Sequence, residues 1–146
     1  MLSQKAKYGL KALIYLTRHP GDGDVRIAEI AEAESIPRKF LDAILLELKK
    51  SGILASRIGR AGGYRLALPP NEIGIGEVIR VLDGPLAPIA CASRTAYKPC
   101  PDCKDVEACL VRKAMLEARD AMASVLDSLS LAALCGEARE AVSDNL

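Results

Sequence analysis

"RIAEIAEAESIPRKFLDAILLELKKSGILASRIGRAGGYRLAL", residues 26–68, carries two helical periods followed by a change of period. In "RIAEIAEA", 26–33, Ile27, Ile30 and Ala31 share one face at the spacing of an amphipathic helix. "ESIP" is a tight turn, and Pro37 suits the first position of the next helix, where its missing N–H costs nothing. That second helix has Phe40, Leu41, Ile44, Leu45 and Leu48 as its expected buried set and stops at Gly52. Two short helices joined by a four-residue turn have the pattern of a helix-turn-helix. The period then becomes that of strands. Runs at 53–58 and 64–68 flank "GRAGG", which predicts a hairpin with a glycine-rich tip. A hairpin bearing Arg57, Arg60 and Arg65 directly after a helix-turn-helix is expected to be a wing.

Working outward, residues 4–18 predict a first helix with Ala6, Leu10, Leu13 and Ile14 on one face, ended by "HPGDGD". His19, the only histidine, falls at that helix C-terminus, a favourable place for an imidazole and no sign of a ligand. A short helix follows at 76–82. Beyond it, Val111, Met115, Ala118, Met122, Val125 and Leu129 recur at alternating spacings of four and three, an a/d seam. The seam predicts a long helix over 105–130, and a narrow seam of this kind meets a second copy of itself, so a homodimer is expected. The fold class expected is mainly α. Residues 1–83 form a winged helix-turn-helix domain with a small β-hairpin wing, 84–104 a cysteine-rich loop, 105–130 a dimerisation helix and 131–146 a short tail that frays. The length suits one domain with an appendage.

Half of the residues are hydrophobic, yet the aromatic ones are four Tyr and one Phe, so the core has to be aliphatic. The net charge of +1 conceals an asymmetry: 12 Lys and Arg against 7 Asp and Glu over 1–65, and 8 against 12 beyond. A basic first half points to a nucleic-acid face. Arg38 and Lys39, opening the second helix of the motif, are expected to reach bases or phosphates of double-stranded DNA, and Asp42 to accept from a cytosine amine. Arg57 and Arg60 supply charge on the wing, where Gly62 and Gly63 let the tip approach a phosphate backbone. Lys5, Tyr8 and Arg26 complete the expected DNA-binding set. No apolar run is long enough to span a membrane, and the Lys-rich N-terminus is no signal peptide, so a cytoplasmic protein is expected.

In a reducing compartment, clustered cysteines point to metal binding or redox chemistry rather than structural disulfides. "CASRTAYKPCPDCKDVEAC", 91–109, holds four of the five, spaced C-x8-C-x2-C-x5-C. Thiolates ligate iron–sulfur clusters, and four of them equally satisfy tetrahedral zinc. A metal-free switch with Cys100 and Cys103 in a disulfide is the third reading. No enzyme is expected. "CPDC" lacks the βαβ setting of a thioredoxin-like motif, and no Ser–His arrangement, carboxylate pair or phosphate-binding loop is present.

"KYGLKALIYL", the helix-turn-helix segment, "RAGGYRLALPPNEIGIGEVIRVLDGP" and the cysteine cluster after it resemble the Rrf2 (Rrf-two) family of bacterial winged-helix regulators over about residues 2–130. The resemblance implies a dimer whose long C-terminal helices cross, with a recognition helix and a wing on each operator half-site. It implies a sensor loop before the long helix, where many members hold a [2Fe–2S] or [4Fe–4S] cluster with three cysteines and a variable fourth ligand. Cys91, Cys103 and Cys109 match that pattern, and Cys100 is additional. Where one branch of the family has a ligating histidine, this chain has Arg112, and the position of an acidic ligand on helix 1 holds Lys7 or Tyr8. Cys100 is therefore the expected fourth ligand. Some members act through a partner protein instead of DNA.

Overall fold

A computed structural model of the chain describes residues 2–21 and 23–136. Helix α1 spans Gln4–Arg18 and is capped by Ser3, whose Oγ accepts from Ala6 N–H at 3.0 Å. The same serine hydrogen bonds to Asp83, so the start of α1 is tied to the end of α4, Ile75–Asp83. Helix α2, Ile27–Glu34, ends at Ser35 in the left-handed region, and α3, Arg38–Lys50, begins immediately after Pro37. The proline is the cap of α3 rather than its first residue.

Leu41, Ile44, Leu45 and Leu48 of α3 are buried against α1, α2 and α4, as their spacing requires. Phe40 was expected among them and is not: it is 48 % exposed. One position before Leu41 it sits about 100° around the helix, at the margin of the stripe. Its ring meets Tyr8 of α1 edge-to-face, with centroids 5.8 Å apart.

Strands β1, Leu54–Arg57, and β2, Gly63–Leu66, pair antiparallel, with Leu54 opposite Leu66 and Arg57 opposite Gly63. A third piece joins them. Val25, ahead of α2, exchanges two backbone hydrogen bonds with Tyr64 at 2.9 and 2.8 Å, locking the wing to the helix-turn-helix.

Helix α5 spans Leu110–Asp127, not 105–130, because residues 99–109 form turns and Cys109 is the N-cap. Its 18 residues run roughly 27 Å. The segment after α5 also departs from expectation. It does not fray at 130: Ile75 N–H donates to Leu129 O at 2.9 Å, Leu131 N–H donates to Ile73 O at 2.8 Å, and residues 131–136 are helical. Leu131 and Cys135 lie in the core. The remainder of the expected tail, 137–146, lies outside the described residues.

The glycines of the hairpin have an intramolecular reason. A Cβ on Gly63 would collide with the Val25 carbonyl, and one on Gly62 with the Arg57 carbonyl. Gly63→Ala is expected to lower stability by about 1–3 kcal/mol, the range for overpacking a fixed backbone contact. Urea unfolding checks this, with an unchanged m-value marking a stability effect alone.

Candidate functional site

The basic face is built from the helix-turn-helix and the wing. Arg38, Lys39 and Asp42 lie exposed in the first turns of α3, and none of their side chains makes a hydrogen bond or ion pair among the described residues. Arg57 and Arg60 are exposed at the wing tip. Arg26, just ahead of α2, donates from Nη2 to the Arg60 carbonyl and pins the tip beside the helix-turn-helix. Two members of the expected set have other partners. Lys5 Nζ is 2.7 Å from Glu47 Oε1, and Tyr8 packs on Phe40. Arg65, left out of the set, is held by both carboxylate oxygens of Asp24 at 3.1 Å. A feature the sequence reading passed over is Ile58, 96 % exposed between Arg57 and Gly59 at the tip. No signal in the sequence marks it, since a β-branched residue suits the expected strand 53–58; β1 instead ends at Arg57 and leaves Ile58 outside the ladder.

The four clustered cysteines line one concavity of about 520 Å³ between the loop and the start of α5, with Asp102 and Arg112 also in its wall. Cys91, in the turn Ala90–Ala92, is only 5 % exposed. Cys100 and Cys103 are exposed, and Cys109 is half-buried. The Cys100 and Cys91 sulfurs are 3.7 Å apart, close to the roughly 3.8 Å edge of a tetrahedron of sulfurs set 2.3 Å from a metal. All four thiols are free, and the short sulfur contact of Cys100 is with Cys91, across the loop. Its reason is backbone geometry: Cys103 N–H donates to Cys100 O at 3.2 Å, closing a turn, while Cys100 Sγ meets Cys91. The Cys91 hydrogen bond, more than any other cause, pushes the Cys100 thiol above its ordinary pKa. Among the described residues no three Cys, His, Asp or Glu side chains converge at metal-binding distance. The donor set nevertheless fits a thiophilic metal or cluster, since four thiols share one cavity. Cys135 lies in the core and does not line that cavity.

Helix α5 carries the cavity and an apolar outer face. Val111 is 65 % and Val125 64 % exposed, and Leu110 and Met122 are exposed with them. A groove of about 740 Å³, lined by Leu2, Ile79, Pro85, Leu86, Met122 and Val125, runs beside this face. Of the predicted seam, Val111, Ala118, Met122 and Val125 are exposed on this protomer, while Met115 is half-buried and Leu129 packs against the core. Arg94 clamps the loop to α5 through two hydrogen bonds to Asp120, at 2.9 and 2.6 Å. Hydrogen bonds from Arg94, then from Arg119, hold the Asp120 carboxyl well below the usual carboxylate range.

A helix-turn-helix with a three-piece basic wing, joined to a cysteine cavity and a long exposed-faced helix, defines a winged-helix transcriptional regulator. Residues 2–137 match the Rrf2 family, described as iron-dependent transcriptional regulators. The chain belongs to that family. It is 45 % identical over 134 residues to a Rhodobacter capsulatus protein described as an rrf2-like HTH-type transcriptional regulator, covering 90 % of this chain and 89 % of that one. Its fold is similar to that of CymR, the global cysteine regulator of B. subtilis, with a TM-score of 0.75, 30 % identity and coverage of 94 % and 97 % of the two chains. It is equally similar to IscR of T. potens, with a TM-score of 0.75, 30 % identity and coverage of 97 % and 90 %. These relatives are regulators, not enzymes. Among the described residues no helix is long and apolar enough to cross a membrane.

The Asp120 pairing has a pH signature. A carboxyl whose folded pKa is depressed contributes stability above its unfolded value, near 3.8, and loses it as pH falls through the folded value. Asp120→Asn is expected to be less stable than wild type at neutral pH, with the gap closing as pH drops below 3.8. Thermal unfolding of both proteins between neutral and strongly acidic pH measures it.

Proposed function

We propose that the chain is a dimeric DNA-binding regulator whose operator affinity is set by the state of the Cys91–Cys109 loop, with an iron–sulfur cluster as the group held there. The observation that carries this reading is the single cavity, at the start of α5, that all four thiols line. Cys91, Cys100, Cys103 and Cys109 would hold the cluster, which supplies an iron- and redox-responsive centre when bound. Nothing in the reading requires the loop to be closed beforehand: the exposed half with Cys100 and Cys103 would close onto the buried Cys91. Arg38, Lys39 and Asp42 read the major groove from α3, while Arg57 and Arg60 of the wing meet the backbone or minor groove. Arg26 fixes the wing tip. Gly62 and Gly63 serve by keeping the hairpin tight, Lys5 and Tyr8 by bracing α1 against α3. The duplex target is two-fold symmetric, because two protomers meet along the exposed face of α5.

The reading is tested on protein purified without oxygen, by visible absorption with iron, sulfide and zinc assayed on the same sample. A brown protein carrying iron and sulfide is expected. Cys91→Ser, Cys103→Ser or Cys109→Ser should each abolish the chromophore and leave helical content intact, and Cys135→Ser should leave the chromophore unchanged. Cys100→Ser should leave a weaker, more oxygen-labile chromophore, a hydroxyl being the poorer ligand. The 3.7 Å approach of Cys91 to Cys100 also favours a second reading, zinc or a metal-free thiol pair. Colourless protein with stoichiometric zinc, or with neither metal, moves the assignment there.

Met122→Lys tests the dimer. It sets an ammonium in the middle of the seam, where burial without a partner is strongly unfavourable. The variant is expected to sediment as a monomer at micromolar concentration and to shift operator DNA poorly. A variant that stays dimeric would place the interface elsewhere.

A further inference from the structure

The loop between α4 and α5 is held in two very different ways. Its first half is fastened. The Ala90 carbonyl accepts from Ser93 N–H and from Lys98 N–H, both at 3.2 Å, and Ser93 Oγ accepts from Ala96 N–H at 3.0 Å. Arg94 ties the same half to Asp120 of α5. Residues 99–108 are almost all exposed. Apart from the Cys100 Sγ contact with Cys91 Sγ at 3.7 Å, their hydrogen bonds are local: Cys103 N–H to Cys100 O, and Glu107 and Ala108 N–H to Asp105 Oδ1.

Arg112, in the first turn of α5, reaches three parts of the loop. Its Nε donates to the Cys91 carbonyl at 2.9 Å. Its guanidinium lies 5.9 Å from the centroid of the Tyr97 ring, within cation–π range. Its backbone N–H donates to Cys109 Sγ at 3.4 Å, the capping contact that starts the helix. One residue therefore holds the main chain of the first cysteine, the aromatic end of the fastened half, and the thiol of the last cysteine. A guanidinium suits this work because its donors form a planar fork on a rigid frame. Lysine, a point charge on a flexible stem, cannot hold the carbonyl and cover the ring together.

We propose that Arg112 is the positioning residue of the cysteine loop. It keeps Cys91 fixed and shielded in the cavity wall, as the thiol toward which Cys100, Cys103 and Cys109 move. Because Arg112 belongs to α5, whatever displaces Cys91 acts directly on that helix. The assignment rests on the reading of this loop as the regulator's sensor for its meaning, but its geometry stands on the metal-free chain.

The test uses the full chain, reduced and stripped of metal, alkylated with iodoacetamide and followed at each cysteine by mass spectrometry. In wild type, Cys100 and Cys103 should react fast and Cys91 slowly. Arg112→Ala is expected to speed Cys91 by about tenfold, the scale of removing a contact that limits local opening. Cys135, buried in the core, serves as the internal control and should not change. Arg112→Lys should open Cys91 as Ala does, since it keeps the charge and loses the fork. A Cys91 rate within about twofold of wild type in Arg112→Ala overturns the proposal, being below the loss of even a weak hydrogen bond. So does a parallel rise at Cys135, which marks general loosening, and so does an Arg112→Lys variant that matches wild type. Failure here leaves the cluster and DNA readings intact, because neither metal nor DNA is present. Colourless wild-type protein would remove the cluster reading and leave the role of Arg112 standing.

Discussion

The structure depends on the pairing of the segment after α5 with the segment before α4. Two backbone hydrogen bonds, Ile75 to Leu129 and Leu131 to Ile73, carry the chain back onto the winged module, and Leu131 fills the core behind them. Arg80 adds two hydrogen bonds to Asp127, at 2.6 and 2.9 Å, on the last turn of α5. Helix α5 is thus anchored at its C-terminal end. Elsewhere it has little hold on its own protomer, since Ala123 is its one fully buried residue. Among the described residues, its N-terminal end is gripped through the cysteine loop. A helix fixed at one end and held at the other by a loop has one adjustable contact, and the thiols are located there.

The DNA-reading half was legible because each of its elements announces itself locally. The stripe Leu41, Ile44, Leu45 and Leu48 fixes the buried side of α3, and with it the side left exposed. The change to strand period and the glycines fix the hairpin. What was missed there is non-local. Val25 bonds to Tyr64 across almost forty residues, and no periodicity in either stretch encodes the pairing. The same contact gives Gly63 its purpose, which the sequence alone assigns as readily to an approaching phosphate. Phe40 was misplaced for a related reason. A helical wheel gives the angle of a side chain but not the neighbour, and Tyr8 receives its ring at the edge of the core.

The cysteine loop shows the opposite balance. Its donor types and spacing are plain in the sequence, and they narrow the expected chemistry to a thiolate-bound cluster, zinc or a thiol switch. Their arrangement depends on groups with no metal-binding signature, namely Arg94, Asp120 and Arg112. Arg112 in particular enters the sequence comparison as the absence of a histidine, yet in the fold it makes contacts to Cys91, Tyr97 and Cys109. The start of α5 was placed five residues early for the same reason. The a/d pattern says where a helix is allowed, whereas the turns at 99–109 and the Cys109 cap decide where it begins.

On the proposed reading, these features make one lever. Operator recognition by a dimer requires two recognition helices set one turn of duplex apart, about 34 Å, so a small change at the dimer helix becomes a mismatch at both half-sites. The exposed face of α5, with Val111 near the thiols and Val125 near the anchor, runs along the whole lever. Events at Cys91 reach that face through a guanidinium on the same helix, without passing through the aliphatic core. The core can therefore stay tightly packed and invariant in shape while the contact between protomers changes. A chemical signal would then need no polar group in the aliphatic core: the cysteine cavity lies at one end of one helix, and the rest of the fold holds the other end still.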